Sequence, residues 1–138
     1  MQVERHGTSL AGKRVLVVED EYFIADDLRS VLEARGAEVV GPVGRLADAF
    51  VVLARNTRLD AAILDIDLHG ETAYALADLL RARGVAFCFA TGYGAQAIPD
   101  AYADVPRCEK PYPYEALLAA LPALAREASR AGVRPQRT

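Results

Sequence analysis

Acidic side chains follow two short apolar segments that have the composition of buried strands. Glu19 and Asp20 come directly after Arg14–Val18, and Asp65 comes directly after residues 61–64. Carboxylates that are brought together repel one another unless a cation lies among them. A small number of hard oxygen ligands, with room for water, suits Mg²⁺ better than zinc or a dedicated calcium site. These residues therefore predict a magnesium site.

A hydroxyl group and an ammonium group follow two further strand-like segments. Thr91 comes after residues 85–90, and Lys110 comes after a short segment near residues 105–109. Phosphoryl transfer needs a cation and a lysine to neutralise the equatorial oxygens, and one carboxylate can serve as the covalent nucleophile. We assign the nucleophile to Asp65, because it ends the central strand of the predicted sheet.

The elements that must position these groups alternate along the chain as strands and helices. The predicted strands cover residues 14–18, 37–43, 61–64, 85–90 and 105–109. The first predicted helix ends at residue 35, and the others cover residues 45–56, 72–83 and 114–127, with a weak helix over 95–104. Five strand-then-helix units predict an α/β fold, a flavodoxin-like doubly wound sheet of five parallel strands in the order 2-1-3-4-5 with helices on both faces.

This topology predicts where the polar residues meet. In an open parallel sheet, ligands bind beyond the carboxyl ends of the strands, at the point where the strand order reverses. That point lies between the first and third strands, so we expect Glu19, Asp20 and Asp65 to converge there. Thr91 and Lys110 end the fourth and fifth strands and are expected to face the same crevice.

The composition is that of one globular domain. The chain has 138 residues, of which 52% are hydrophobic and 25% are charged, and its net charge is −3. This balance argues against a general nucleic-acid binder, which needs a basic face. Without a signal peptide or membrane-spanning segment we expect a cytoplasmic protein. We expect a flexible arm over residues 1–12, one domain over 13–127 and a disordered basic tail over 128–138.

The chain resembles the receiver domain (CheY-like) of two-component response regulators. The matching residues are Glu19 and Asp20 after VLVV, Asp65 after AAIL, Thr91 after FCFA, and Lys110 before a proline. Each of these is weak alone, because acids at strand ends are common. All of them in the right order, each closing a predicted strand, are a strong signal over about residues 13–127.

The resemblance implies a role for each matching residue. Asp65 would be the phosphoacceptor. Asp20 would bind Mg²⁺ directly, Glu19 would hold it through water, and Asp67 would contribute its backbone carbonyl. Thr91 would bond a phosphoryl oxygen. Lys110, at the end of the fifth strand, would pair with the phosphoryl group. Its peptide bond to Pro111 is expected to be cis.

Three positions depart from the family pattern. Receivers usually carry an aromatic switch residue where this chain has Arg107. The loop after Asp65 reads IDLHGE, without the usual proline and Met-Asp-Gly pattern. The stretch FATGYG around Thr91 resembles the variant subgroup nicknamed FAT GUY, whose members resemble partners of HWE-type histidine kinases. In place of the usual switch we expect residues 92–104 to become ordered on phosphorylation.

The resemblance implies a stand-alone receiver in a phosphorelay. A sensor histidine kinase or a histidine phosphotransfer protein would phosphorylate Asp65. The phosphorylated domain would signal by altered binding of a downstream protein, at the face formed by the fourth helix, fifth strand and last helix, or act as a phosphate sink. We expect slow self-modification instead of enzymatic turnover, and neither nucleic acid nor membrane as a partner.

Other functions stay open at this point. Asp65-Ile66-Asp67 matches the Asp-x-Asp signature of haloacid dehalogenase phosphohydrolases, although that motif normally lies on the first strand of a larger chain. A flavodoxin-type electron carrier would need a glycine- and hydroxyl-rich loop after the first strand, where this chain has acids. A pseudo-receiver that binds partners without phosphorylation is favoured by Arg107 alone. His69 lies near the acids, but without a second histidine or cysteine nearby it is not expected to bind metal.

Overall fold

The computed structural model describes residues 9–56, 58–91 and 98–109. Strands and helices alternate within these ranges, as the hydrophobic pattern predicts. The elements are β1 (Arg14–Val18), α1 (Tyr22–Ala34), β2 (Glu38–Val43), α2 (Leu46–Arg55), β3 (Ala61–Asp65), β4 (Asp67–Leu68), β5 (Glu71–Thr72), α3 (Tyr74–Ala82), β6 (Ala86–Thr91), a 3₁₀ turn (Asp100–Tyr102) and β7 (Arg107–Glu109). The predicted last helix over 114–127 and the predicted tail over 128–138 lie outside the described residues.

One parallel sheet of five strands carries the fold, in the order β2-β1-β3-β6-β7. Because β6 and β7 are the fourth and fifth strands of the strand–helix series, the predicted order 2-1-3-4-5 and the α/β class are confirmed. The strand order reverses between β1 and β3, where Val18 lies beside Leu64. The carboxyl ends of these two strands therefore meet at one edge of the sheet. Asp65 is the last residue of β3, and Glu19 directly follows β1.

The helices cover both faces of the sheet because the central strands are apolar on both sides. Every residue of β3 is buried, as expected for a central parallel strand. On one face α1 packs Leu28 and Leu32 against Val15, Val17 and Ile63. On the other face α2 and α3 pack against a larger cluster, which includes Leu16, Leu53, Leu64, Leu76, Leu80 and Phe89.

The packed part of the chain begins earlier than predicted. Leu10 is buried and belongs to the cluster beneath α1. Its N–H donates a hydrogen bond to the carbonyl oxygen of Arg35 at 2.8 Å, just past the end of α1. The domain boundary predicted at Lys13 therefore falls a few residues after packing starts. Residues 1–8 of the predicted arm lie outside the described residues.

Two features between the strands differ from the prediction. β4 and β5 form a small antiparallel hairpin directly after β3, in the loop that departs from the receiver pattern. In the described part of the weak helix predicted over 95–104, residues 98–104, the structure has a 3₁₀ turn at Asp100–Tyr102, because Pro99 immediately precedes it and cannot continue a helix. The longest helix of the described ranges, α1, has 13 residues, and no helix there is long and apolar enough to cross a membrane.

Candidate functional site

Three carboxylates converge at the carboxyl edge of the sheet. Glu19, Asp20 and Asp65 each offer an oxygen atom, and these atoms all lie within 4.8 Å of one another. Glu19 is 3% exposed and Asp65 is 5% exposed, while Asp20 is half-buried. Buried carboxylates at this separation repel one another more strongly than they would in water. The structure thus brings together the three acids that the sequence predicted would converge.

The junction between β1 and α1 positions Glu19 and Asp20. The N–H of Glu19 donates to the carbonyl oxygen of Val43 at 2.9 Å, which ties the end of β1 to the end of β2. Oε2 of Glu19 accepts a hydrogen bond from the N–H of Glu21 at 3.0 Å. Glu21 is the N-cap of α1, and the partial positive charge at a helix N-terminus favours a carboxylate there. The start of α1 therefore favours the negative charge of the Glu19 carboxylate.

Asp65 is oriented by its own loop. It is the last residue of β3 and lies beside Ala90 of β6 in the parallel register. Its Oδ1 accepts a hydrogen bond from the N–H of Asp67 at 3.2 Å. The N–H of Ile66 donates across to the carbonyl oxygen of Ala90 at 3.3 Å. The first of these hydrogen bonds holds the Asp65 carboxylate, and the second holds the loop backbone at the edge of the sheet.

The β4–β5 hairpin closes one side of the site. His69 and Gly70 form its two-residue turn, and both have positive φ angles, of 53° and 86°, as a type I′ turn requires. The N–H of His69 donates to Oδ2 of Asp20 at 3.3 Å. The side chain of His69 is exposed and lies outside the group of three acids that converge in the described part of the chain.

The side chain of Asp67 stabilises the hairpin. Its Oδ1 accepts a hydrogen bond from the N–H of Gly70 at 3.1 Å, and its side chain is exposed. The Asp67 carboxylate therefore stabilises the turn and is separate from the three acids that converge. A role for the Asp67 backbone carbonyl stays a prediction.

Thr91 and Lys110 were predicted to complete the site. Thr91 is the last residue of β6, is 5% exposed, and follows Ala90, the neighbour of Asp65 in the sheet. The parallel register pairs Thr91 with Glu109, the last residue of β7. Lys110 and the Lys110–Pro111 bond lie outside the described residues, but Lys110 follows Glu109 directly in the chain. Arg107, at the position of the usual aromatic switch, is exposed.

The donor set of the three acids fits a magnesium ion. Magnesium–oxygen distances are about 2.1 Å, so oxygens around one ion lie within about 4 Å of one another. The observed spread of 4.8 Å is close to that value. A divalent cation would also offset the repulsion among the three carboxylates. The cluster, formed by residues from two strand ends, thus suits a single hard cation.

Two aromatic features of the structure were missed in the sequence. Tyr22 and Phe23, at the start of α1, are 75% and 81% exposed, and their rings contact each other edge to face. Tyr102, in the 3₁₀ turn, is buried against α3. Exposure of Tyr22 and Phe23 could have been inferred from the helical spacing, because the apolar face of α1 contains Ala25, Leu28 and Leu32. Burial of Tyr102 has no signal in the sequence, since it depends on contacts with α3.

Comparison with known proteins identifies the fold and the family. No protein-family model matches the chain. SdrG from Sphingomonas melonis Fr1 is 34% identical, and the match covers 83% of this chain and 96% of that structure with a TM-score of 0.72. The receiver domain protein (CheY-like) from Methanospirillum hungatei JF-1 is 21% identical, with 86% and 98% covered and a TM-score of 0.74, which supports the fold.

A curated relative matches part of its length. The sensory transduction protein LytT of Bacillus anthracis is 33% identical over 88 residues, which are 62% of this chain and 35% of that protein. The chain thus spans about a third of the length of the curated relatives it matches. The sheet order, the convergent acids and these similarities agree, and the chain therefore belongs to the response regulator receiver family of two-component systems.

Proposed function

We propose that Asp65 accepts a phosphoryl group from the phosphohistidine of a sensor histidine kinase or a histidine phosphotransfer protein. The observation that carries this proposal is the convergence of the Glu19, Asp20 and Asp65 carboxylates within 4.8 Å at the switch point of the sheet. Receiver homologues are signalling domains instead of classical enzymes. The proposed reaction is accordingly a single transfer that changes the state of the domain.

The transfer would exchange one bond for another at phosphorus. An oxygen of the Asp65 carboxylate attacks the phosphorus in line, and an O–P bond forms as the P–N bond to the donor imidazole breaks. The electron pair of that bond returns to the imidazole nitrogen, which takes up a proton. The hydrogen bond from the N–H of Asp67 to Oδ1 orients the carboxylate for this attack. Thr91 would donate its hydroxyl to a phosphoryl oxygen, and Lys110 would pair with another.

The acids would hold Mg²⁺ during this reaction. We assign direct contact to Asp20 and Asp65, a water-mediated contact to Glu19 and a backbone contact to the carbonyl of Asp67. When bound, the ion supplies positive charge that offsets the negative charge of the phosphoryl oxygens. The hydrogen bond from His69 to Asp20 restrains one ligand before the ion arrives.

The surface beside the site suits a donor protein that is basic and apolar. Tyr22 and Phe23 present a large exposed aromatic area at the start of α1. The acidic residues Glu21 and Asp27 lie next to this pair in the chain, and the carboxylate of Asp26 is paired with Arg29. A cleft of about 340 Å³ extends from there past Asp20 toward the loop after β2. We propose that the kinase or phosphotransfer protein docks on this surface, because the cleft beside Tyr22 is also lined by Glu19 and Asp20, which converge with the phosphoacceptor.

The output would run through a second protein. We propose that the phosphorylated domain alters the binding of a downstream partner, or otherwise drains phosphoryl groups from its kinase. The FATGYG stretch supports an assignment to the FAT GUY subgroup and, through it, to an HWE-type kinase. Positions 92–94 of this stretch lie outside the described residues.

Intact mass measurement tests the phosphoacceptor. The protein is incubated with acetyl phosphate and Mg²⁺, and we expect it to gain one phosphoryl group, which EDTA and Asp65→Ala abolish. Asp48→Asn, at an exposed acid on α2, is the matched control and should label like the wild type. Repeated turnover of a small phosphate ester would instead favour a phosphohydrolase. No labelling by acetyl phosphate or by a kinase would contradict the proposal and favour a pseudo-receiver.

A further inference from the structure

A buried tyrosine occupies the segment between β6 and β7. Tyr102 is 9% exposed, although it lies in a short turn between Pro99 and Val105. Its hydroxyl donates a hydrogen bond to Oδ1 of Asp78 at 2.7 Å. Its ring stacks on Tyr74, with centroids 4.8 Å apart and planes 15° apart, and meets Phe89 edge to face at 6.0 Å. The segment is thus anchored to α3 and to β6 by one side chain.

One stripe of α3 makes these contacts. Tyr74, Asp78 and Arg81 follow one another at intervals of four and three residues, so they lie on one side of the helix. The Arg81 guanidinium lies 5.8 Å from the ring centroid of Tyr102 and pairs with Asp104 at 3.3 Å. Tyr74, Asp78 and Arg81 all contact residues 98–105, so α3 and this segment form one packed unit.

The same helix is tied to the loop of Asp65. The N–H of Ala73, the N-cap of α3, donates to the carbonyl oxygen of Ile66 at 2.8 Å. Ile66 directly follows Asp65, and Tyr74 is the first residue of α3. A continuous series of contacts therefore runs from the phosphoacceptor loop through the start of α3 to Tyr102.

We propose that Tyr102 couples the phosphorylation state of Asp65 to the surface formed by residues 98–105 and α3. This inference rests on the proposed function, and it gives a physical substitute for the aromatic residue that is absent at Arg107. Arg107 is exposed and lies after Tyr102 in the chain. The proposed coupling therefore uses a residue other than the one at the usual switch position, and that residue has other neighbours. Asp104 and Arg81 are exposed at the edge of this surface, where a partner would contact them and so bind according to the change.

The direction of the change follows from where the segment is held. Tyr102 anchors it to α3 in the unphosphorylated protein. A phosphoryl group bonded to the Thr91 hydroxyl would fix the chain at the end of β6, upstream of Tyr102. A segment that is held at both ends opens less often, so its backbone amides exchange more slowly. The expectation that residues 92–104 start out disordered is corrected for residues 98–104, because Tyr102 already packs there.

Hydrogen exchange of the full chain measures this coupling. The protein is compared with and without acetyl phosphate and Mg²⁺, and intact mass gives the fraction phosphorylated in each sample. We expect phosphorylation to slow exchange in peptides covering 98–105 about fivefold, the ratio that corresponds to one net hydrogen bond. In Tyr102→Phe and in Asp78→Ala this phosphorylation-dependent slowing should largely disappear, although both variants label at Asp65.

Matched variants separate coupling from a purely structural role. Asp48→Ala removes the carboxylate of an exposed acid on α2 and should keep the full response. In the double variant of Tyr102→Phe and Asp78→Ala, the phosphorylation-dependent slowing of exchange should be no smaller than in either single variant, because the two changes remove one interaction. Each protein is compared with its own unphosphorylated form, so a general loss of stability does not imitate the effect.

Three results would overturn the inference, and they distinguish its failure from failure of the proposed function. Normal labelling of the wild type with no change in exchange over 98–105 would exclude this coupling and leave the proposed function intact. The same conclusion follows if Tyr102→Phe and Asp78→Ala both respond like the wild type. Absence of labelling in the wild type, with acetyl phosphate and with a kinase, would reject the proposed function and the coupling together.

Discussion

The backbone N–H of His69 donates a hydrogen bond to Oδ2 of Asp20, which links the turn of the β4–β5 hairpin to the end of β1. His69 adopts a φ of 53°, a conformation that L residues other than asparagine, aspartate and histidine rarely take. The loop that departs from the receiver pattern is therefore a folded element that restrains a carboxylate of the site.

Substitutions at His69 test the role of this turn. His69→Gly should leave stability within about 1 kcal/mol of the wild type, because glycine adopts positive φ without strain. His69→Val should lower the free energy of unfolding by about 1–3 kcal/mol, since a β-branched residue is strained there. It should also weaken Mg²⁺ binding, measured by calorimetric titration. A valine variant with wild-type Mg²⁺ affinity would show that the turn does not position Asp20.

The repulsion among the three acids predicts an unusual stabilising substitution. In EDTA, Asp20→Asn should raise the free energy of unfolding by about 1 kcal/mol, because it removes one of three neighbouring charges and keeps an acceptor for His69. The wild type should gain about 1.4 kcal/mol at a free Mg²⁺ concentration ten times its Kd, and the variant should lose most of this gain.

Urea unfolding with and without Mg²⁺ measures both effects. Asp48→Asn, which removes an exposed charge of the same type on α2, serves as the control and should change neither value. If Asp20→Asn destabilises the protein in EDTA and binds Mg²⁺ normally, the acids do not form the predicted cation site.

Two glycines with positive φ predict different costs on substitution. A Cβ at Gly41 would lie 3.0 Å from the carbonyl oxygen of Val17 and 3.0 Å from the nitrogen of Val43. Gly84 also has a positive φ, but a Cβ there meets no atom within 4 Å. Gly84→Ala should therefore cost about 1 kcal/mol and Gly41→Ala about 3 kcal/mol or more. Equal unfolding free energies for the two variants would mean that the backbone contacts at Gly41 are not rigid.

The Gly41 substitution should also disturb the acidic site. The carbonyl oxygen of Val43 accepts a hydrogen bond from the N–H of Glu19, and Val43 lies two residues after Gly41. A shift of this strand end would move Glu19, so Gly41→Ala should weaken Mg²⁺ binding while Gly84→Ala leaves it unchanged. Calorimetric titration of both variants measures this difference.

Tyr102 predicts a late step in the alkaline titration of the protein. The hydrogen bond to Asp78, and then burial, raise the pKa of Tyr102 above its ordinary value of 10.0. Because the folded pKa is raised, the stabilisation by this group is complete below pH 10 and is lost as the pH rises through the folded pKa. Absorbance of phenolate should show a tyrosine that ionises above this ordinary value.

Variants assign this step. Tyr102→Phe should remove the late ionisation, and Asp78→Asn should return the pKa of Tyr102 toward its ordinary value because the negative charge is lost. A late step that survives in Tyr102→Phe would assign it to another tyrosine.

The exposed aromatic pair predicts an effect specific to the protein donor. Phe23→Ser should slow transfer from a sensor histidine kinase that phosphorylates the wild type by about fivefold or more, because truncation of a central interface aromatic costs over about 1 kcal/mol. Labelling by acetyl phosphate should be unchanged, since this small donor needs no docking surface. Val51→Ser, at a half-exposed valine on α2, is the control for loss of an apolar side chain. Equal slowing in both variants would contradict docking at Phe23.

Local pattern alone predicts much of this fold. Short apolar segments bounded by acids and glycines predict the strands to within one or two residues, because a buried parallel strand needs apolar residues on both faces. The alternation of these strands with helices leaves few topologies, and the order observed in the sheet is the one expected. The meeting of Glu19 and Asp20 with Asp65 follows directly, since residues at the carboxyl ends of adjacent parallel strands share one edge.

Contacts between distant parts of the chain decide the rest. The sequence of the loop after Asp65 does not predict a hairpin, because its two strands have only two residues each and the turn is also held by Asp20 across the site. Leu10 and Tyr102 lie in segments that read as irregular, and both are buried by helices they contact only after folding. Such burial is a property of tertiary packing, which local composition does not encode.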